Sequence, residues 1–200
     1  MCGGHASLSR TIHFDRVPRL KTNRVRIIGG LWRSRIVRFP DAPSLRPTPD
    51  RLRETLFNWL GQDLTGKVCL DLFAGSGALG FEAASRGARQ VVMVEHDAGV
   101  YRALRETQTT LSAGQVELHR ADAIKFLKSD SRLYDVIFLD PPFRLGWVPL
   151  LLPLLPPRLQ SEARVYLETE EAVVMPEGFE VLKRIRAGQV HGVLIKYLRS

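Results

Sequence analysis

A glycine-rich segment at positions 71–80 follows a short apolar run and has the composition of a loop that approaches a ligand closely. Its glycines Gly75, Gly77 and Gly80 allow the backbone to lie against a bound group at the start of a helix. Glu95 follows Gly75 by 20 residues, a spacing typical of dinucleotide-binding loops and of loops for other nucleoside cofactors. The spacing alone leaves both classes of cofactor open.

Asp71, which ends the apolar run, favours one of these classes. A carboxylate at this point would repel the pyrophosphate of a dinucleotide, but it would attract the ammonium group of an amino-acid cofactor. S-adenosylmethionine carries that ammonium and no phosphate, so we expect it as the cofactor. Glu95 is expected to accept hydrogen bonds from the ribose hydroxyls, and Asp122 with Ala123 to meet the adenine amino group. The candidate cofactor-binding residues are Asp71, Ala74, Gly75, Gly77, Glu95, Asp122 and Ala123.

The sequence Asp140-Pro141-Pro142-Phe143 follows a later apolar run and suggests where the second substrate binds. Two consecutive prolines have restricted φ angles and no amide donors, so their carbonyl groups project from a rigid turn. Beside a carboxylate, these acceptors can hold the two N–H groups of an exocyclic amine and direct its lone pair at a methyl group. Phe143 can stack on an extruded base. We therefore predict that these four residues form the catalytic turn.

Positive charge is concentrated at the amino-terminal end of the chain. The formal net charge is +8, from 29 Lys and Arg against 21 Asp and Glu. Residues 1–53 contain 12 basic and three acidic residues, a net +9, so the remaining residues sum to −1. This distribution predicts a surface that binds nucleic acid, attached to a nearly neutral catalytic body. The candidate RNA contacts are Arg24, Arg26, Arg33, Arg35, Arg46, Arg51 and Arg144.

Other chemistries find little support in the composition. The two cysteines, Cys2 and Cys69, cannot form a disulfide framework, and a reducing cytoplasmic location is expected. The five histidines have no metal-ligand spacing, so no metal is predicted. The longest charge-free apolar stretch, at 145–157, is broken by prolines and too short to span a membrane.

The hydrophobic periodicity predicts the elements that must position these residues. Short runs rich in Val, Ile and Leu alternate with helical stretches from position 68 onward, a pattern typical of a parallel sheet with crossover helices. Two runs near the carboxyl terminus, Phe179–Arg186 and Val190–Leu198, predict a closing antiparallel hairpin. Thr48 is expected to cap a helix whose first residue is Pro49. The predicted organisation is a loose extension over 1–22, a basic β element and linker over 23–47, and a methyltransferase domain over 48–200.

From Arg24 to Leu198, the chain resembles the RsmD family of bacterial 16S ribosomal RNA guanine-N2 methyltransferases. The segments that carry the resemblance are Arg26–Arg33, Arg46–Leu60, Asp71–Gly80, Asp140–Arg144 and Ala187–Val190. The resemblance implies a seven-stranded Rossmann-like class I methyltransferase sheet, mostly parallel with an antiparallel closing strand and preceded by a small basic β element. It also implies methylation of guanine 966 of 16S ribosomal RNA in an assembling small subunit. We expect a monomer with no membrane partner.

Three alternative functions are compatible with parts of this pattern. An N6-adenine DNA methyltransferase could use the same Asp-Pro-Pro turn, because adenine also has an exocyclic amine. An NAD-dependent oxidoreductase would use the glycine loop, and a ribosome-assembly factor could bind RNA without chemistry. Asp71 argues against a pyrophosphate-containing cofactor, and the presence of both Asp71 and Asp140 argues against a protein without catalysis.

Overall fold

The computed structural model describes residues 22–41, 49–142, 146–171 and 173–199. Residues 1–21 of the predicted extension, Arg46, Thr48, Phe143 and Arg144 lie outside the described residues. The strands are β1 (Thr22–Arg26), β2 (Ile36–Pro40), β3 (Val68–Asp71), β4 (Gln90–Glu95), β5 (Val116–Arg120), β6 (Tyr134–Leu139), β7 (Leu159–Thr169), β8 (Phe179–Ala187) and β9 (Val190–Tyr197). The helices are α1 (Asp50–Trp59), α2 (Ala78–Ser85), α3 (Ala98–Thr110), α4 (Ala123–Ser129) and α5 (Trp147–Leu151), with 3-10 turns at Leu152–Leu154 and Pro156–Arg158.

Seven strands form the central sheet in the order β5-β4-β3-β6-β7-β9-β8. The pairs from β5 to β7 are parallel, and β9 is antiparallel to both β7 and β8. The predicted α/β class I methyltransferase architecture is therefore confirmed, including the antiparallel closure. Because the carboxyl ends of parallel strands meet at one edge, the acids that end β3, β4 and β6 come to the same side of the molecule.

Apolar side chains bury both faces of this sheet, as the continuous Val, Ile and Leu runs predicted. One cluster joins Cys69, Met93, Phe138 and Tyr166 of the sheet to apolar side chains of α1, α2 and α3. The other face is covered by α4, α5 and the turn after α5. Side chains alternate along a strand, so Asp71, Glu95 and Glu168 lie on the same face as Cys69, Met93 and Tyr166.

The basic amino-terminal segment forms an antiparallel hairpin of β1 and β2. Its inner side chains, Val25, Val37 and Phe39, are buried in the same cluster as α2. The backbone of its turn is bound to the end of α2, where the amide of Leu31 donates to the carbonyl oxygen of Ser85 at 2.7 Å. The hairpin is thus packed directly on the helix that begins after the glycine loop.

Two local predictions differ from the structure. The first helix begins at Asp50, and Pro49 is its N-cap residue with φ −53° and ψ 142°, so the prediction that Pro49 is the first helical residue is wrong. Pro49 makes no side-chain hydrogen bond that caps the helix. Asp50 instead supplies a negative charge to the first turn. The apolar run Val165–Leu167 predicts only a short strand, whereas β7 spans Leu159–Thr169. Leu159 pairs with Tyr134, and the register with β6 resumes at Arg164 after a bulge whose exposed residues form no apolar run.

Candidate functional site at the carboxyl edge of the sheet

The glycine loop connects the end of β3 to the start of α2. The amide of Ala74 donates to the carbonyl oxygen of Val94 at 2.9 Å, which holds the loop against the end of β4. Gly75 and Gly77 have φ angles of 49° and 79°, and Gly77 is the N-cap residue of α2. The loop therefore follows a backbone path that L side chains rarely adopt, and it presents the start of α2 toward the edge of the sheet.

Gly77 is required for space as well as for conformation. A Cβ atom at this position would lie 2.6 Å from Cδ2 of Phe81 and 2.8 Å from Cδ2 of Leu104. Both contacts are shorter than van der Waals contact, and both side chains belong to the buried core. The loop can hold this shape only with glycine at position 77.

Asp71 is almost completely buried, with 1% of its surface exposed. Its Oδ2 accepts a hydrogen bond from the amide of Gly80 at 2.9 Å, so the carboxylate supports the first turn of α2. Burial, together with the charges of Glu95 and Glu168, raises the pKa of Asp71 to about 7, although the hydrogen bonds from the Gly80 and Phe73 amides act in the opposite direction. A cation placed beside this carboxyl group would stabilise its ionised form.

Glu95 connects the end of β4 to the glycine loop. Its Oε2 accepts from the amide of Gly75 at 3.0 Å, and its Oε1 accepts from the amide of Asp97 at 2.8 Å. The residue is buried, yet a carboxylate oxygen can accept more than one hydrogen bond. Glu95 therefore combines support of the loop with capacity to bind a hydroxyl group.

Asp122 and Ala123 begin α4, directly after β5. Asp122 is exposed and caps the helix, because its Oδ1 accepts from the amide of Lys125 at 2.9 Å, whereas Ala123 is buried. The amide of Ala121 donates to the carbonyl oxygen of Glu95 at 3.1 Å. The structure thus brings the predicted adenine-contacting pair next to the predicted ribose-contacting residue.

Asp140 and Pro141 leave the end of β6, the strand adjacent to β3. Asp71 is opposite Phe138 in this parallel pair, so Asp140 lies two residues further along the neighbouring strand. Asp140 is half-buried and Pro141 is buried. The cofactor-side and acceptor-side candidates are therefore adjacent at one edge.

The sequence interpretation missed two buried polar residues on β7. Tyr166 and Glu168 are 0% and 2% exposed, and the Tyr166 hydroxyl donates to Oε1 of Glu168 at 3.0 Å. Burial and the charges of Glu168 and Asp140 raise the pKa of Tyr166. An acidic residue that follows an apolar run is usually solvated. The sequence therefore gave no strong indication that Glu168 is buried next to Asp140.

The candidate RNA-binding arginines within the described residues are exposed and belong to two elements. Arg24, Arg26, Arg33 and Arg35 lie on the β1–β2 hairpin, and Arg51 lies in the first turn of α1. The hairpin and α1 are adjacent, since Nη2 of Arg26 is 3.5 Å from Oδ2 of Asp50. The structure brings these arginines to one region of the surface.

Glu82 of α2 binds both the β1–β2 hairpin and α1, and so holds them against this helix. Its Oε2 and Oε1 accept from the amides of Ile28 and Gly29, each at 2.8 Å. The same carboxylate contacts Nη1 of Arg53 at 3.4 Å and Nε of Arg86 at 2.8 Å. Glu82 and Arg53 are both 0% exposed, so these contacts form a buried ion-pair network.

The described residues bear on two other chemistries, a cysteine nucleophile and a metal site. Burial raises the pKa of the Cys69 thiol to about 12, which makes it a poor nucleophile. Within the described ranges, no group of three or more His, Cys, Asp and Glu could hold a metal ion. None of the described helices has the length and apolar character needed to cross a membrane.

Sequence and structure comparisons agree with this geometry. Residues 25–197 match the family model described as Conserved hypothetical protein 95. The chain is 41% identical over 174 residues to ribosomal RNA small subunit methyltransferase D of Escherichia coli strain K12, which covers 84% of this chain and 88% of the relative. It is 42% identical over 174 residues to the protein of the same name from Haemophilus influenzae, covering 83% of this chain and 90% of the relative.

A solved structure extends the similarity from sequence to fold. The structure titled putative methyltransferase yhhF from Escherichia coli superimposes with a TM-score of 0.80 at 40% identity, covering 89% of this chain and 100% of that chain. The family model, which begins at Val25, covers the sheet and most of the amino-terminal hairpin. The chain therefore belongs to the RsmD family of ribosomal RNA methyltransferases.

Proposed function

We propose that this protein transfers a methyl group from S-adenosylmethionine to the exocyclic N2 of guanine 966 in 16S ribosomal RNA. The observation that carries the proposal is the pairing of β3 with β6, with Asp71 opposite Phe138. Because of this pairing, the loop suited to the methyl donor and the turn suited to an amine lie next to each other at the edge of the sheet. In-line transfer requires such adjacency, because the reacting atoms must approach to about 3–3.5 Å.

The residues at the ends of β3, β4 and β5 suit S-adenosylmethionine. Asp71 would hold the ammonium group, Glu95 the ribose hydroxyls, and Asp122 with Ala123 the adenine. Ala74, Gly75 and Gly77 would line the cofactor with backbone. The buried carboxylate of Asp71 at this loop would oppose the pyrophosphate of a dinucleotide. When bound, S-adenosylmethionine supplies an electrophilic methyl group on a positively charged sulfur.

The turn after β6 would bind and orient the target amine. The nitrogen lone pair of guanine N2 is delocalised into the ring, so the amine needs orientation and acceptors for its hydrogens. Asp140 and the carbonyl oxygen of Pro141 are the proposed acceptors, and Pro142 makes the turn rigid. As the N–C bond forms and the bond between the methyl group and sulfur breaks, positive charge develops on the nitrogen. The carboxylate of Asp140 would stabilise this charge and accept the proton that the nitrogen loses. Phe143 is the proposed stacking surface for the flipped base.

The candidate arginines would bind the RNA backbone while the sheet carries out the chemistry. The proposed contacts are Arg24, Arg26, Arg33, Arg35, Arg46, Arg51 and Arg144. The basic β element and linker over 23–47 is the proposed docking element, and 48–200 the proposed catalytic domain. We further propose that the protein acts as a cytoplasmic monomer on an assembling small subunit.

Replacing Asp140 with Asn tests the proposal. The variant keeps the size of the side chain but removes its charge and adds an NH2 donor, so single-turnover methylation at saturating cofactor should fall by about two to four orders of magnitude. Its affinity for S-adenosylmethionine should remain near that of the wild type. Asp135→Asn is the matched control, because Asp135 lies at the opposite end of the same strand, where it accepts from the amide of Val68 at 2.9 Å.

Mass analysis of the methylated nucleoside identifies the product. N2-methylguanosine at position 966 supports the proposal, and N6-methyladenosine in a DNA substrate would support an adenine methyltransferase instead. A near-wild-type rate for Asp140→Asn would show that the turn after β6 is only a scaffold.

A further inference from the structure

The two faces of the β1–β2 hairpin have opposite character. Val25, Val37 and Phe39 point into the core, whereas Arg24, Arg26 and Arg38 are exposed. Alternating side chains in a strand point to opposite faces, so the three arginines share the outer face. Arg38 is not among the RNA contacts that were predicted from the sequence.

Arg24 and Arg38 are directly opposite each other in the antiparallel register. The Cβ atoms of directly opposed residues are separated by about 4.5–5.5 Å, and like charges in such pairs destabilise the sheet. Among the described residues, no carboxylate forms an ion pair with either guanidinium. Arg26 differs, because its guanidinium is 3.5 Å from Asp50.

The backbone that carries this pair is held firmly to the body. Nη2 of the buried Arg53 donates to the carbonyl oxygen of Arg26 at 2.8 Å. At the turn, the amides of Ile28 and Gly29 donate to Glu82, which lies on the helix that starts at the glycine loop. The outer face therefore has a definite position relative to the proposed cofactor loop. A molecule bound there through an anionic group would be oriented relative to that loop.

We propose that Arg24 and Arg38 together bind one phosphate group of the RNA backbone. This site rests on the proposed function, since it supplies the contact that docks the substrate. Arginine presents a planar group of donors that matches phosphate oxygens, and two such groups approaching from one face can share a single phosphate. A bound phosphate also neutralises the repulsion between the two arginines, which no described carboxylate does.

Binding of a 16S ribosomal RNA fragment, measured as a function of salt, tests the site. The double variant Arg24→Gln with Arg38→Gln should reduce the slope of log affinity against log salt by about 0.7–0.9, the effect of losing one phosphate contact. Each single variant should reduce the slope by less, because the remaining arginine still contacts the same phosphate. Arg184→Gln is the matched control, since Arg184 is an exposed arginine on β8 opposite Val193.

Thermal unfolding without RNA supplies an independent readout. At low salt, both single variants should unfold at a temperature equal to or higher than the wild type, because the like-charge pair is gone. The difference should disappear as salt is raised. A lower unfolding temperature would indicate that these arginines are structural, and it would overturn the site.

Three further outcomes would also overturn the site. An unchanged salt slope in the double variant would show that the pair does not contact RNA, and a loss of about 1.4–1.8, with about 0.7–0.9 from each arginine, would show two separate phosphates. Weaker binding to an assembled particle with unchanged binding to naked RNA would indicate an acidic protein surface as the partner. The proposed methylation is judged separately, because a protein that binds RNA through this pair but transfers no methyl group contradicts only the proposed function.

Discussion

Because the carboxyl group of Asp71 is buried, we expect cofactor binding to depend on pH. In the folded protein its pKa is raised to about 7 by burial, compared with 3.8 for an exposed aspartate. Between these two values the folded chain retains a proton that the unfolded chain has lost, so this group destabilises the fold as pH rises toward 7. A cofactor ammonium beside Asp71 favours the ionised form, and binding should release that proton.

The size of the effect follows from the pKa. If only the ionised carboxylate holds the ammonium, the fraction of binding-competent protein rises from about 1% at pH 5 to about 50% at pH 7. The affinity for S-adenosylmethionine should therefore increase by at least about 10-fold and at most about 50-fold over this range. The cofactor ammonium itself stays largely charged below pH 7, since α-amino groups titrate at about 7.7–8.0.

Isothermal titration at pH 5, 6 and 7, in buffers of different ionisation enthalpy, measures both the affinity and the proton release. At pH 6 about 0.9 protons should be released per cofactor bound. Asp71→Asn keeps an oxygen that can accept from the Gly80 amide but cannot ionise, so its affinity should be independent of pH and similar to that of the wild type at pH 5. Methylthioadenosine, which lacks the ammonium group, should bind the wild type without this pH dependence. Identical pH profiles for the wild type and Asp71→Asn would refute the assignment of Asp71 to the ammonium.

Two further predictions concern the parts that support the candidate site. Glu82→Gln removes a buried carboxylate that contacts both Arg53 and Arg86, and it leaves the buried Arg53 paired with the exposed Asp50, whose Oδ1 is 2.6 Å from Nη2 of Arg53. The free energy of unfolding measured in urea should therefore fall by up to about 3–5 kcal/mol. A loss below about 1 kcal/mol, the size expected for the exposed control Glu54→Gln, would contradict the buried network. Gly77→Ala combines a φ of 79° with a Cβ 2.6 Å from the Phe81 ring. It should therefore weaken cofactor binding at least about 10-fold and lower the free energy of unfolding by about 1–3 kcal/mol. The control Gly114→Ala, whose Cβ meets nothing within 4 Å, should change neither quantity.

The sequence by itself was sufficient to identify the parts whose physics is local. The Val, Ile and Leu runs predicted the parallel strands because strands buried on both faces need continuous apolar residues. The glycines at 75 and 77 predicted a loop with φ angles that few other residues adopt, and the structure has these angles. That this loop binds a cofactor, and that Asp140-Pro141-Pro142 forms a rigid turn for the target amine, stay predictions. Helix and strand ends were less determined, as Pro49 shows, since a proline fits both the N-cap and the first helical position.

Only the tertiary structure decided which of these parts meet. The order of strands makes β6 a neighbour of β3, and thereby makes Asp140 a neighbour of the glycine loop. The tertiary structure also brings Glu168 next to Asp140, Glu82 to the hairpin turn, and Arg24 opposite Arg38. Each of these relations depends on strand register or on packing between residues far apart in the chain. Periodicity and turn chemistry constrain only neighbours along the sequence, whereas burial and strand pairing determine whether a distant acid meets an amide, an arginine or water.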